Sequence, residues 1–262
     1  MMKPGAALVT GGAVRLGRAM AIALAEDGWD VAINHVSSSD ESEALAAEIR
    51  AMGRKAVALQ ADLLDEAQTA ALVGRAAEAL GQPLTCLINN ASIFEFDDID
   101  SMTRTSWDRA IESNLRAPVK LTQDFAAQAP EVGTDAAGEP IATGCVINMI
   151  DQRVLKPTPM FLSYSIAKMG LRAFTTFGAQ GLAPRIRVNG IGPGPTLRGG
   201  RQTEEHFAKQ RSATVLERGS NPEDIVAAMR FILASPALSG QMLAMDGGQH
   251  LGWKTPDILG VE

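Results

Sequence analysis

Seven short runs of apolar and β-branched residues, separated by longer stretches of helical periodicity, constrain the fold more than anything else in this sequence. They are AALVT (6–10), DVAINH (30–35), KAVALQAD (55–62), TCLINNAS (85–92), GCVINMID (144–151), RIRVNGIG (185–192) and QMLAMDGG (241–248). Strands alternating with helices build a parallel sheet joined by crossover helices. The runs are nearly continuous in apolar character, so both faces of each strand are covered. The expectation is one α/β domain spanning 1–262: a doubly wound parallel sheet of seven strands with helices on both faces. No internal repeat and no shift in composition divides the chain.

Punctuation supports the helices. Gly28 and Gly53 follow apolar-periodic segments as stop signals, and Asn221–Pro222–Glu223–Asp224 reads as a cap, a first-turn proline and acids at a helix start. Two stretches break the rhythm. APEVGTDAAGEPIATG (129–144) reads as a flexible, solvated excursion. GPGPTLRGGRQ (192–202) opens a flexible substrate-side segment running to about 212, at a strand's C-terminal end, where such sheets bind ligands. The C-terminal tail spans 249–262, of which Trp253 to Glu262 read as disordered or as reaching a neighbouring subunit.

The bulk numbers narrow the function. A net charge of −6 with no lysine–arginine block argues against nucleic-acid and anionic-membrane surfaces. No apolar run is long enough to span a bilayer, and the first residues lack a signal-like region. Cys86 and Cys145 lie in apolar runs without metal-ligand spacing, so they read as buried reduced thiols. The expectation is a cytoplasmic protein with no metal site that acts on a small molecule.

VTGGAVRLGRAMAIALAEDG (9–28) places Gly11, Gly12 and Gly17 between the first strand and the first helix. Glycines there let the backbone approach a pyrophosphate at a helix N-terminus, although a tight turn uses glycine for steric reasons too. The second strand ends INHVSSSDES, with no carboxylate to hold a free ribose hydroxyl. Ser37 and Ser38 offer hydroxyls, and Arg15 can lie near a 2′-phosphate. NADP(H) is therefore favoured over NAD(H), against the alternative that the serines only begin a helix and Arg15 is a solvated turn residue.

Tyr164 and Lys168 fall on one face of a helix, where an ammonium favours an ionised phenol and makes it a proton donor or acceptor. Such pairs are common on solvated helices. This one follows the fifth strand of a chain with a dinucleotide turn, and Tyr164 is the sole tyrosine.

Taken together, the turn at Thr10–Gly11, Asp62, NNAS (89–92), Asn114, Tyr164–Lys168, NGIGPG (189–194) and DGG (246–248) resemble the short-chain dehydrogenases/reductases over nearly the whole chain. The resemblance implies a Rossmann-like fold. It implies cofactor contacts from Thr10, Gly11, Arg15, Leu16, Gly17, Ser37, Ser38, Asp62 (to adenine), Leu63, Asn89, Ala91, Ser92, Pro193, Gly194 and Thr196. It also implies Tyr164 as acid/base, Lys168 on the nicotinamide ribose lowering the tyrosine pKa, Asn114 holding a relay water, and a homotetramer built on the helices around Asn114 and Tyr164.

Two departures from the common pattern matter. Arg15 stands where most members have a glycine, and Asp151 stands at the serine position thirteen residues before the tyrosine. With NNASIF, both resemble the pteridine reductases and dihydromonapterin reductases. That likeness implies substrate contacts from Arg15, Ser92, Phe94 (stacking), Asp151 and Tyr164. Reducing a pterin C=N bond requires a proton on nitrogen as hydride reaches carbon, and a carboxylic acid can donate there. Burial should raise the Asp151 pKa while Lys168 opposes the rise. Ser37 and Val14 stand where that branch often has basic residues, and QRVLKPTPMFLS (152–163) carries no signature for the pterin's 6-substituent. The alternatives are a carbonyl reductase of 3-oxoacyl or other ketones, and a non-catalytic dinucleotide sensor.

Overall fold

The computed structural model describes residues 2–200 and 202–255. All seven expected strands are present and pair in one parallel sheet: β1 (Ala6–Val9), β2 (Asp30–His35), β3 (Ala56–Gln60), β4 (Leu84–Asn89), β7 (Gly144–Met149), β8 (Ile186–Pro193) and β9 (Met242–Met245). Their spatial order is β3-β2-β1-β4-β7-β8-β9. The chain reverses direction across the sheet between β1 and β4, and the crevice beyond their C-terminal ends is where such sheets bind ligands.

Alternation along the strands feeds two cores. Ala7, Val9, Ile88, Ile147 and Ile191 face α1 (Arg15–Glu26), α2 (Ser39–Ala51) and α8 (Pro222–Ala234) through Leu24, Ile49 and Met229. Leu8, Leu87, Val146 and Val188 face α3 (Glu66–Leu80), α5 (Ala117–Gln128) and α6 (Leu162–Leu182) through Leu72, Phe125 and Ala179. Each fully buried aliphatic side chain contributes about 1.5–3 kcal/mol, so these two layers fix the strand ends that build the site. Cys86 and Cys145 are free, buried and opposite one another on β4 and β7.

Differences from the sequence reading are local. Residues 129–144 hold a small antiparallel hairpin of β5 (Gly133–Thr134) and β6 (Pro140–Ile141), turned by Asp135, whose carboxylate accepts from the N–H of Ala137 and of Glu139. The segment 192–212, expected as flexible throughout, ends in α7 (Glu204–Ser212), capped by the Thr203 hydroxyl. Helix α4 (Arg104–Ile111) runs into a wide π-helical turn, Glu112–Arg116, before α5. Of the expected tail, Gln249–Leu251 form one helical turn, and 256–262 lie outside the described residues.

Candidate active site

At the switch point a cavity of about 540 Å³ opens between the glycine turn, the ends of β2, β4 and β7, and the loop after β8. Gly11, Arg15, Leu16, Gly17, Ser37, Ser38, Asp62, Leu63, Ala91, Ser92, Phe94, Asp151, Tyr164, Lys168, Pro193, Gly194 and Thr196 all line it. Thr10, Asn89 and Asn114 do not; they lie behind its wall.

The glycine turn is held from beneath. The Gly11 N–H donates to Asn34 Oδ1 (3.3 Å), and Asn90 Nδ2 donates to the carbonyls of Thr10 (2.9 Å) and Gly11 (3.0 Å). The Thr10 hydroxyl accepts from the N–H of Asn90 and of Ala91. A Cβ on Gly17 would sit 2.2 Å from the Gly11 carbonyl oxygen, so only glycine lets α1 start this close to the strand. Arg15 sits at φ 55° and reaches across the cleft, donating to the carbonyls of Leu197 (3.2 Å) and Arg198 (2.9 Å). The guanidinium expected to bridge phosphate and substrate is here a tie between the glycine turn and the loop after β8.

At the end of β2, Ser38 occupies the cap position of α2 but its hydroxyl makes no cap bond. His35 lines the cavity, and its buried Nδ1 has no hydrogen-bond partner among the described residues. A buried polar atom without a partner is costly.

The catalytic centre is assembled by α6 and the end of β7. Tyr164 donates its hydroxyl to Asp151 Oδ2 (2.7 Å), and Asp151 Oδ1 accepts the Arg153 N–H (2.8 Å). Burial pushes the Asp151 carboxyl up; the Arg153 N–H, the Tyr164 hydroxyl and the charges of Arg153 and Lys168 oppose it. Lys168, 2% exposed, donates to the Met149 carbonyl (2.7 Å), and burial lowers its pKa to about 8.

The tyrosine departs from expectation. Burial first, then the Asp151 charge and hydrogen bond, push the phenol well above its ordinary range. Lys168 was expected to bring it down, but its ammonium is spent on the Met149 carbonyl and lies 5.7 Å from the centre of the phenol ring. Burial, with a carboxylate at hydrogen-bond distance, outweighs that.

Asn114 sits in the π-helical turn, fully buried, donating to the carbonyls of Ile93 (2.9 Å) and Ala110 (3.0 Å) and accepting from the Ser92 hydroxyl (2.6 Å). Both amide hydrogens are committed, so its side chain fixes Ser92 and the loop after β4. Asn89, expected on the cleft wall, donates instead to Asn148 Oδ1 (2.9 Å) in a buried chain that ends at Thr175. Asn148 lies beside Asn89 on the neighbouring strand, and that bond draws the amide inward.

Phe94 lines the cavity and is 47% exposed. Its ring stacks on Phe161 (4.2 Å, 7°) and meets Tyr164 edge-on (4.7 Å). Sequence reasoning missed Phe161, Arg153, Asn34, Asn90 and His35; the polar residues ending apolar strands were the available signal for Asn34 and Asn90.

The fold and cleft define a class of protein: a Rossmann-like α/β fold whose polar centre, a Tyr–Asp pair beside a buried lysine, lies at the sheet's switch point. Residues 5–209 match the family model for short chain dehydrogenase, and the protein belongs to that oxidoreductase family. Two solved structures are similar along almost the entire chain. FolM alternative dihydrofolate reductase 1 from Brucella canis, complexed with NADP, is 41% identical with a TM-score of 0.90, covering 98% of each chain. The Brucella suis protein of the same name, also with NADP, is 41% identical with a TM-score of 0.91, covering 98% of this chain and 100% of that one. The 3-oxoacyl-[acyl-carrier-protein] reductase FabG of Staphylococcus aureus is 28% identical over 250 residues, 94% of this chain and 98% of that protein.

Proposed function

We propose that the protein is an NADPH-dependent reductase of the C=N bond of a dihydropterin or related folate. The observation that carries this reading is the hydrogen bond from the sole tyrosine to Asp151, buried beside the half-exposed Phe94. Likeness to two NADP-bound alternative dihydrofolate reductases supports it. The cavity suits NADP(H): the glycine turn at the start of α1 borders it where a pyrophosphate would lie, and Ser37 and Ser38 offer hydroxyls to a 2′-phosphate. Asp62 and Leu63 would border the adenine, and Ala91, Pro193, Gly194 and Thr196 the nicotinamide end.

The bound cofactor would supply the hydride. The chain does the rest. Phe94 gives a flat heterocycle an apolar face to stack on. Ser92, fixed by Asn114, and Arg15 offer polar contacts at the ring's edges. Tyr164 holds a proton on its hydroxyl oxygen and shares it with Asp151, and that pair hands one proton to the ring nitrogen as the neighbouring carbon is reduced. Lys168, anchored on Met149, lies where a ribose hydroxyl and the phenol can both meet its field. The assembly is a homotetramer, for which α6 offers Ile166, Met169 and Phe177 as an exposed apolar face, and it works in the cytoplasm. Among the described residues, no helix is long and apolar enough to cross a membrane.

A panel of 7,8-dihydropterins, quinonoid dihydropterins and 3-oxoacyl or diketone substrates, assayed by NADPH oxidation, tests the reading. Turnover of ketones with none of any pterin would replace it with the carbonyl reductase that the FabG likeness favours. Binding of NADPH with no turnover at all would leave a dinucleotide sensor. Asp151→Ser should cost pterin reduction about 10²-fold or more in kcat, the scale of a lost general acid; an unchanged rate removes Asp151 from proton transfer.

A further inference from the structure

Beside Phe94 the chain carries a guanidinium, that of Arg153, whose charge reaches Asp151 but whose side-chain N–H groups have no assigned part in cofactor binding or proton transfer, and a lysine three residues on. Between Asp151 and Tyr164 the chain has Arg153 and Lys156 and no acid, in a protein of net charge −6. Arg153 stands on the helical turn that follows β7 and Lys156 just beyond it, with the Lys156 N–H donating to the Arg153 carbonyl (3.2 Å).

Arg153 is half-buried. Its guanidinium carbon lies 5.0 Å from the Phe161 ring centre and 5.8 Å from that of Phe94, and one nitrogen donates to the Thr158 hydroxyl (2.9 Å). Lys156 is exposed and has only long contacts, 3.5 Å, to the carbonyls of Gln249 and Gly252. Neither has an ion-pair partner among the described residues, whereas Arg109 on α4 is paired with Glu95 (3.0 Å). A planar guanidinium beside the stacked rings, with one nitrogen tied to Thr158, keeps its remaining N–H groups free for a carboxylate.

We propose that Arg153 and Lys156 form an anion subsite for the carboxylates of an arylglutamate arm, so that the preferred substrate is a folate-type dihydropterin rather than one with a neutral polyol arm. This rests on the pterin reading above. Phe94 takes the ring, and its far face is backed by Phe161. An arm leaving the ring along the aromatic wall meets Phe161 and Arg153, with exposed Lys156 three residues further along the chain. A short polyol ends within the aromatic wall and gains little from a full charge. An aminobenzoyl ring lies against that wall, and its glutamate runs on to the two cations.

Dihydrofolate and dihydropteroate differ only by the glutamate, so the ratio of their kcat/KM values isolates the subsite, with 7,8-dihydrobiopterin as the neutral-arm reference. The wild-type ratio should favour dihydrofolate by about tenfold at low ionic strength and shrink as salt is added, as expected for a partly exposed charge-assisted contact. Arg153→Met with Lys156→Met should bring the ratio close to one, while Arg153→Lys should keep part of it. Each ratio is taken within one variant, so loss of folded protein cancels; Lys156→Met alone, at an exposed position, serves if the double variant does not fold. Pterin turnover with a wild-type ratio near one, or a ratio unmoved by the substitutions, overturns the subsite alone. No pterin turnover overturns the reductase reading and the subsite together.

Discussion

Asp97 should hold the catalytic helix in place, and removing it should damage both stability and turnover. It lies in the loop after β4, 3% exposed, and caps α6 from 66 residues away. Its Oδ1 accepts the Ser163 N–H (3.1 Å), its Oδ2 accepts the hydroxyls of Ser163 and Ser106, and its carbonyl accepts the Leu162 N–H (3.2 Å). The local cap position is filled by Phe161, which sits at φ 58° and offers no cap bond. Asp97→Ala therefore strands two donors of Ser163, itself 1% exposed, at about 1–3 kcal/mol each. We take about 3 kcal/mol in all, which lowers a urea midpoint by about 1 M at an m-value of about 3 kcal/mol per molar. Asp97→Asn keeps one acceptor oxygen and should lose about 1 kcal/mol. Tyr164 follows Ser163 directly, so a loosened first turn displaces the phenol; kcat in Asp97→Asn should fall about 10- to 100-fold with a much smaller change in NADPH KM. A urea midpoint within about 0.3 M of wild type for Asp97→Ala, or an unchanged kcat for Asp97→Asn, would refute this reasoning.

Two further outcomes follow from the site. Lys168 ionises at about 8 when folded against an ordinary value of 10.5, so the unfolded chain holds the extra proton between those limits and stability should rise with pH from about 8 upward, by up to about 3 kcal/mol in the absence of cofactor; a denaturation series from pH 7 to 10 that falls throughout contradicts it, and kcat/KM should decline across pH 8 as the ammonium is lost. Arg15→Gly should relieve a left-handed backbone conformation that costs a non-glycine residue about 1 kcal/mol while cutting the tie to Leu197 and Arg198; amide exchange in the loop after β8 should accelerate with no loss in thermal midpoint, and unchanged exchange there would show that the tie does not restrain the loop.

What could be read from the sequence follows from what each feature depends on. The seven strands were legible because a strand covered on both faces must be apolar almost throughout, the glycine turn and the Tyr–Lys pair because they are local patterns, and most other cleft residues only through the family resemblance. Helix α7 was missed because it buries nothing; its cap, Thr203, and its acid-to-base gradient were present, but an apolar stripe was not. Asp97 was invisible because its partners lie on another element. The expectation that Lys168 lowers the tyrosine pKa counted a neighbour four residues away and left out the burial of the phenol and the carboxylate that follows β7, both of which raise it. Phe161 and Arg153 gained meaning only once folding set them beside Phe94.

The sole tyrosine of the chain is also the residue that donates to Asp151. No other phenol contributes to the ultraviolet difference spectrum, and the three tryptophans do not titrate. The protein thus carries its own optical reporter of proton position at the reacting centre. Tyrosinate absorbance followed through a titration reads this one hydroxyl, and cofactor or substrate that draws Asp151 away from it would shift the signal without a label or a mutation.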